Sequence, residues 1–72
     1  MSDQVETLGE ALPREMARVR DEVLPHYLEL WAPGFLAVRI IRESLAVAAK
    51  ALSDGDVVAM IRAYEDLKAY EA

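Results

Sequence analysis

The chain has 72 residues, a formal net charge of −5 and 54% apolar residues, which is one domain with a small core. It has no cysteine and one histidine, His26, so disulfides, thiolate metal sites, cysteine nucleophiles and a multi-histidine site within one chain are excluded. Oligomerisation is then the support left open to so small a domain, and the acidic balance offers no basic footprint for generic nucleic-acid binding.

Residues 1–12 carry Asp3, Glu6 and Glu10 and no basic residue. Val5, Leu8 and Leu12 form a short apolar stripe that Gly9 weakens, so the segment reads as flexible or as a short extra helix. Pro13 suits the first turn of a helix, where its missing N–H costs nothing. From there Met16, Val19, Val23, Tyr27 and Leu30/Trp31 recur at the helical period, predicting a first helix over 13–32. Pro25 interrupts it, with its ring against the carbonyl of Asp21 and Leu24 pushed away from helical geometry. The apolar stripe stays in phase beyond Pro25, which predicts a kink and not a break.

Ala32-Pro33-Gly34 is a stop signal, and Pro33 can open the next helix, predicted over 34–53. On a helical wheel its apolar residues cover an arc of about 220°, twice the width of an ordinary surface helix. Ser44 alone interrupts that arc, and it is expected to bond back to its own helix. Ser53-Asp54-Gly55-Asp56 has turn and capping chemistry: Gly55 can end one helix and an aspartate can start the next. The last helix is predicted over 56–71, with Val57, Met60, Ile61, Tyr64 and Leu67 on its inner face and Lys68 at the edge.

The expected fold is all-α: a small antiparallel three-helix domain with a Pro-kinked first helix, filling the whole chain, 1–72. Twelve alanines favour close helix approach, and the longest uncharged apolar run is far short of a bilayer span of about 20 residues. The acidic start is the opposite of a signal peptide, so the expectation is cytoplasmic, with no membrane contact.

Chemistry is hard to place on this chain. His26 lies on the polar side of its helix with no orienting partner, and no nucleophile motif surrounds Ser2, Ser44 or Ser53. The carboxylate pairs Asp21/Glu22 and Glu65/Asp66 are adjacent, so they point about 100° apart on a helix. Asp54-Gly55-Asp56 lacks the further acids of a calcium loop, and helix capping accounts for both aspartates. The expectation is no enzyme, no metal and no cofactor.

Interaction chemistry is better represented. Arg20, Tyr27, Trp31 and Phe35 are of the residue types that anchor protein interfaces, so they are the candidate partner-binding set. The plain alternative is that Tyr27 and Trp31 are core and Arg20 pairs with an acid. Leu36, Ile40, Val47 and Ala51 form the second flank of the middle helix. Two neighbouring helices can cover the opposite flank, which leaves this one to a second copy in a two-fold homodimer. The alternative is that the first helix wraps far enough to cover both. Arg14 and Arg18, one turn apart, could in a dimer build a basic strip, so a helical nucleic-acid-associated regulator stands as a disfavoured second reading, and a structural assembly module as a third.

Leu12-Pro13-Arg14-Glu15-Met16-Ala17-Arg18-Val19-Arg20 and Gly55-Asp56-Val57-Val58-Ala59-Met60-Ile61-Arg62-Ala63-Tyr64-Glu65-Asp66-Leu67-Lys68 resemble stretches of short helical proteins from proteobacterial genomes and prophages. Ala32-Pro33-Gly34-Phe35-Leu36-Ala37 is similar to their connecting turn, although Trp31, Leu36 and the spacing depart from it. The resemblance spans about residues 12–68 and carries no activity or site residues. It implies a phage-type accessory protein that works by stoichiometric binding to a host protein, in the manner of an anti-CRISPR or an inhibitor of a host regulator.

Overall fold

The computed structural model describes residues 7–29 and 32–71, and among them every regular element is helical. The order is α1 (Leu8–Arg18), a π-helical turn (Val19–Val23), α2 (Leu24–Leu28), α3 (Ala32–Asp54) and α4 (Val57–Lys68). α1, the π turn and α2 follow without interruption, so the domain is three helical rods, as the all-α reading expects. The first rod crosses the α3/α4 hairpin: α1 packs chiefly on α4, and α2 on α3.

Helix α1 starts earlier than the sequence reading places it. Thr7 donates its N–H to Glu10 Oε1 at 3.1 Å, and Glu10 and Ala11 donate back to the Thr7 carbonyl at 3.0 and 2.8 Å. This Thr-x-x-Glu start is strong enough to carry the helix through Gly9 and Pro13. Pro13 therefore lies inside the helix and does not open it.

Pro25 neither breaks the rod nor ends it. The Leu24 N–H reaches back five residues to the Val19 carbonyl, the hydrogen bond of a π turn. Leu24 keeps right-handed helical angles (φ −59°, ψ −45°) despite preceding a proline. Widening the helix by one residue separates the proline ring from the carbonyl it would otherwise strike. It also serves the core. Val19, Val23 and Tyr27 step by four, overshooting the helical repeat by about 40° each time. The wider turn absorbs that drift, leaving Val19 and Val23 fully buried and Tyr27 half-buried.

The core joins Leu12, Val19, Val23 and Leu24 from the first rod to Val38, Ile41, Ala48 and Ala51 of α3 and Met60, Ala63 and Leu67 of α4. Alanines at the α3/α4 contact let the two helices approach closely. Three placements fail here: Ala51 on the outward flank of α3, and Val57 and Ile61 on the inner face of α4. Ala51 is 3% exposed, and Ile61 is 45% exposed. α4 is rotated so that Ala63 points inward in place of Ile61 and Val57.

The α3–α4 turn behaves as its sequence predicts. Gly55 has φ +66°, its N–H donates to the Leu52 carbonyl, and the Asp56 N–H donates to Ala51, both at 3.2 Å. These are the paired bonds of a Schellman ending. Asp56 then caps α4, its Oδ1 accepting the Ala59 N–H at 3.2 Å. A Cβ on Gly55 would meet nothing within 4 Å, so Gly55→Ala tests the backbone conformation alone. The expected loss is about 1 kcal/mol, read as a fall of several degrees in melting temperature.

Two tertiary locks close the C-terminal end. Arg18 donates through Nη2 to the carbonyls of Leu67 and Tyr70, both at 3.0 Å, and through Nε to Glu15 Oε1 at 3.1 Å. A guanidinium thus satisfies carbonyls at the end of α4, where the helix dipole favours positive charge. Ser44 Oγ and Tyr70 Oη share a hydrogen bond of 2.9 Å, so Ser44 ties α3 to the end of the chain and does not bond back to its own helix.

Candidate interaction surface

α3 is long, and its two neighbours do not surround it. Val38, Ile41, Ser44, Ala48 and Ala51 are buried, with Leu45 and Leu52 beside them. The next strip of the wheel holds Leu36, Ile40 and Val47, and these remain 61%, 51% and 50% exposed. An apolar arc this wide needs more than two covering helices, so one flank stays bare. α4 borders that flank: Val47 shares a shallow groove with Val58, Ala59 and Arg62, and Val58 is itself exposed. The other border is charged, with Arg39 and Glu43 lining the same groove as Leu36 and Ile40.

Of the expected dimer flank, Leu36, Ile40 and Val47 are exposed and Ala51 is not. Ala51 lies only 20° or so around the helix from Ile40, and that step takes it under α4.

Of the expected partner-binding set, Arg20, Tyr27 and Phe35 sit on three different elements, the π turn, α2 and α3. Arg20 is exposed and held by its neighbour Asp21, through contacts of 2.9 and 3.2 Å. That hydrogen bond holds the Asp21 carboxyl below its ordinary range and raises the Arg20 guanidinium. The pair is fully exposed and contributes little to stability. Tyr27 packs against the core, meets His26 edge-on at 5.3 Å, and donates its hydroxyl to the Glu71 carbonyl at 3.4 Å. Phe35 is 67% exposed at the start of α3, and Leu28, 55% exposed, stands at the end of α2. Trp31, like Leu30 and Val5, lies outside the described residues. No ion pair or ring contact joins Arg20, Tyr27 and Phe35 among the described residues.

The basic strip expected of Arg14 and Arg18 loses Arg18, whose guanidinium is engaged within the chain. Among the described residues no group of three His, Cys, Asp or Glu side chains could hold a metal ion, and no helix is long and apolar enough to cross a membrane. Lys68 places its ammonium 5.3 Å from the Tyr64 ring centre, a surface cation–π contact.

Compared with protein-family models, with curated proteins and with solved structures, the chain matches none.

Proposed function

We propose that this protein is a helical interaction module that acts by stoichiometric binding to another protein, as a phage- or prophage-type accessory factor that inhibits a bacterial host protein. The carrying observation is the bare apolar flank of α3, where Leu36, Ile40 and Val47 are each at least half exposed, together with Phe35, 67% exposed at the start of the same helix. Exposed apolar surface of this kind marks an interaction site more often than a plain solvent face. The mobile-element class, including the anti-CRISPR and host-regulator inhibitors, is supported by the sequence resemblance and by small size.

Two regions divide the work in this reading. Leu28 and Phe35 flank the α2–α3 connection and form the contact with the host protein. Leu36, Ile40 and Val47 form the second apolar region, further along α3.

A tagged pull-down from a bacterial lysate, read by mass spectrometry, tests the proposal against the Leu28→Ala/Phe35→Ala variant. Both side chains are exposed, so the variant should fold. The expected result is one host protein that purified components retain at equal stoichiometry, with at least about tenfold weaker retention by the variant, as for loss of an interface anchor. Retention unchanged by the double substitution removes this contact surface. No specific retention removes the binding reading.

A further inference from the structure

We propose that the α3 stripe seats a second copy of this chain, antiparallel, about a two-fold axis passing between residues 41 and 42. The inference deepens the binding reading and rests on the α3 face being an interface.

The stripe is self-complementary in that arrangement. Leu36 and Val47 stand at equal distances on either side of the axis, so the symmetry sets Leu36 of one copy against Val47 of the other. Leu36 would enter the groove that Val47 forms with Val58. Ile40 lies close to the axis and meets its own counterpart. Ser44, at the inner edge of the stripe, is turned toward Tyr70 and does not enter it.

Charge favours a second copy over an unrelated partner. Arg39 and Glu43 occupy the edge of the stripe away from α4, one turn apart, and both are exposed. Neither has an ion-pair partner among the described residues. In an antiparallel pair each edge faces the same edge of the other helix. The axis brings Arg39 of one copy to within about one residue's rise of level with Glu43 of the other. The pairing occurs twice by symmetry and engages both free charges. A parallel pair would turn this edge toward the partner's α4 and leave both unpaired. Opposite charges at matched heights also set the register.

Light scattering or sedimentation equilibrium should return twice the 8.0 kDa chain mass. Arg39→Glu and Glu43→Arg should each weaken dimerisation about tenfold, since each change places two like-charge contacts in the interface. Helix content by circular dichroism should not move. The combined Arg39→Glu/Glu43→Arg chain should recover affinity to within about threefold of the parent, a rescue that a generic apolar contact would not show. The chain has no cysteine, so the register can be trapped cleanly. A mixture of Leu36→Cys and Val47→Cys chains should oxidise to the mixed disulfide in preference to either homodimer. The two positions lie about 16 Å apart within one helix, so a bridge between them must join two chains.

A monomeric parent chain overturns the proposal. So does a charge exchange without rescue, or preferential cross-linking of each cysteine chain to itself. A monomer that still retains the host protein sinks this inference and leaves the binding reading standing. A dimer with no host partner does the reverse.

Discussion

Leu67→Ala is expected to lower stability by about 3 kcal/mol, and Ile61→Ala by less than about 1 kcal/mol. Leu67 is wholly buried in α4 between α1 and α3, whereas Ile61 is 45% exposed on the same helix. Truncating Leu67 removes its burial and leaves a cavity that helices locked at both ends cannot close. A chain of this length has a total stability of about 4–11 kcal/mol, so the loss should lower the melting temperature by about 15 °C or more. Thermal melts of both variants, at one protein concentration because association raises apparent stability, check the contrast. Equal losses in the two variants would mean that Ile61 faces the core and that the rotation of α4 described above is wrong.

That contrast also shows where hydrophobic periodicity stops being informative. In α4 the pattern Val57, Met60, Ile61, Tyr64, Leu67 fits a helical face as well as Met60, Ala63, Leu67 does. Alanine carries little weight in such a pattern, yet Ala63 is buried because it lets α3 come close. The same blindness misplaces Ala51: a wheel gives its angle and cannot say how far α4 reaches around α3. Capping chemistry was more readable. Gly55 and Asp56 act as their types demand, since a left-handed turn and an N-cap are local devices that need no knowledge of the fold. The start of α1 is equally local in Thr7-Leu8-Gly9-Glu10, a Thr-x-x-Glu signal that the sequence reading, resting on the Val5/Leu8/Leu12 stripe and on Gly9 and Pro13, does not include. Pro25 marked a real irregularity. The form it takes, a π turn that keeps the stripe in phase, depends on Val19 and Val23 both having a core to enter.

For the interaction surface, the bare flank of α3 was visible as an arc too wide for its neighbours, and Leu36, Ile40 and Val47 are the residues left out. Residue type, which marks Arg20 and Tyr27 as interface anchors, does not carry position: Tyr27 packs against the core and Arg20 pairs with Asp21. The part played by Arg18 had no signal in the sequence. Its partners are backbone carbonyls some fifty positions away, and any residue type can supply a carbonyl.

Arg18→Ala should therefore be the most damaging substitution at a residue that periodicity assigns to the polar face, at about 2–3 kcal/mol. Three bonds disappear together: those to the Leu67 and Tyr70 carbonyls and the one to Glu15. The Glu15 side chain is 8% exposed, and its carboxylate would be left with Arg14, whose contact is longer at 3.4 Å. Removing one member of a largely buried pair costs more than the pair contributes, because the remaining charge stays out of water. Arg18 is itself 30% exposed on its side chain, so water offsets part of that penalty and the loss should stay below that of a fully buried pair. Arg18→Lys keeps the charge but cannot span two carbonyls and a carboxylate at once, so it should recover less than half of the loss. Replacing both residues, Arg18→Met with Glu15→Leu, removes the stranded carboxylate and should be milder than Arg18→Ala alone. Urea titrations of the three variants separate the cases. If the double variant is the least stable of the three, the electrostatic account of this lock fails.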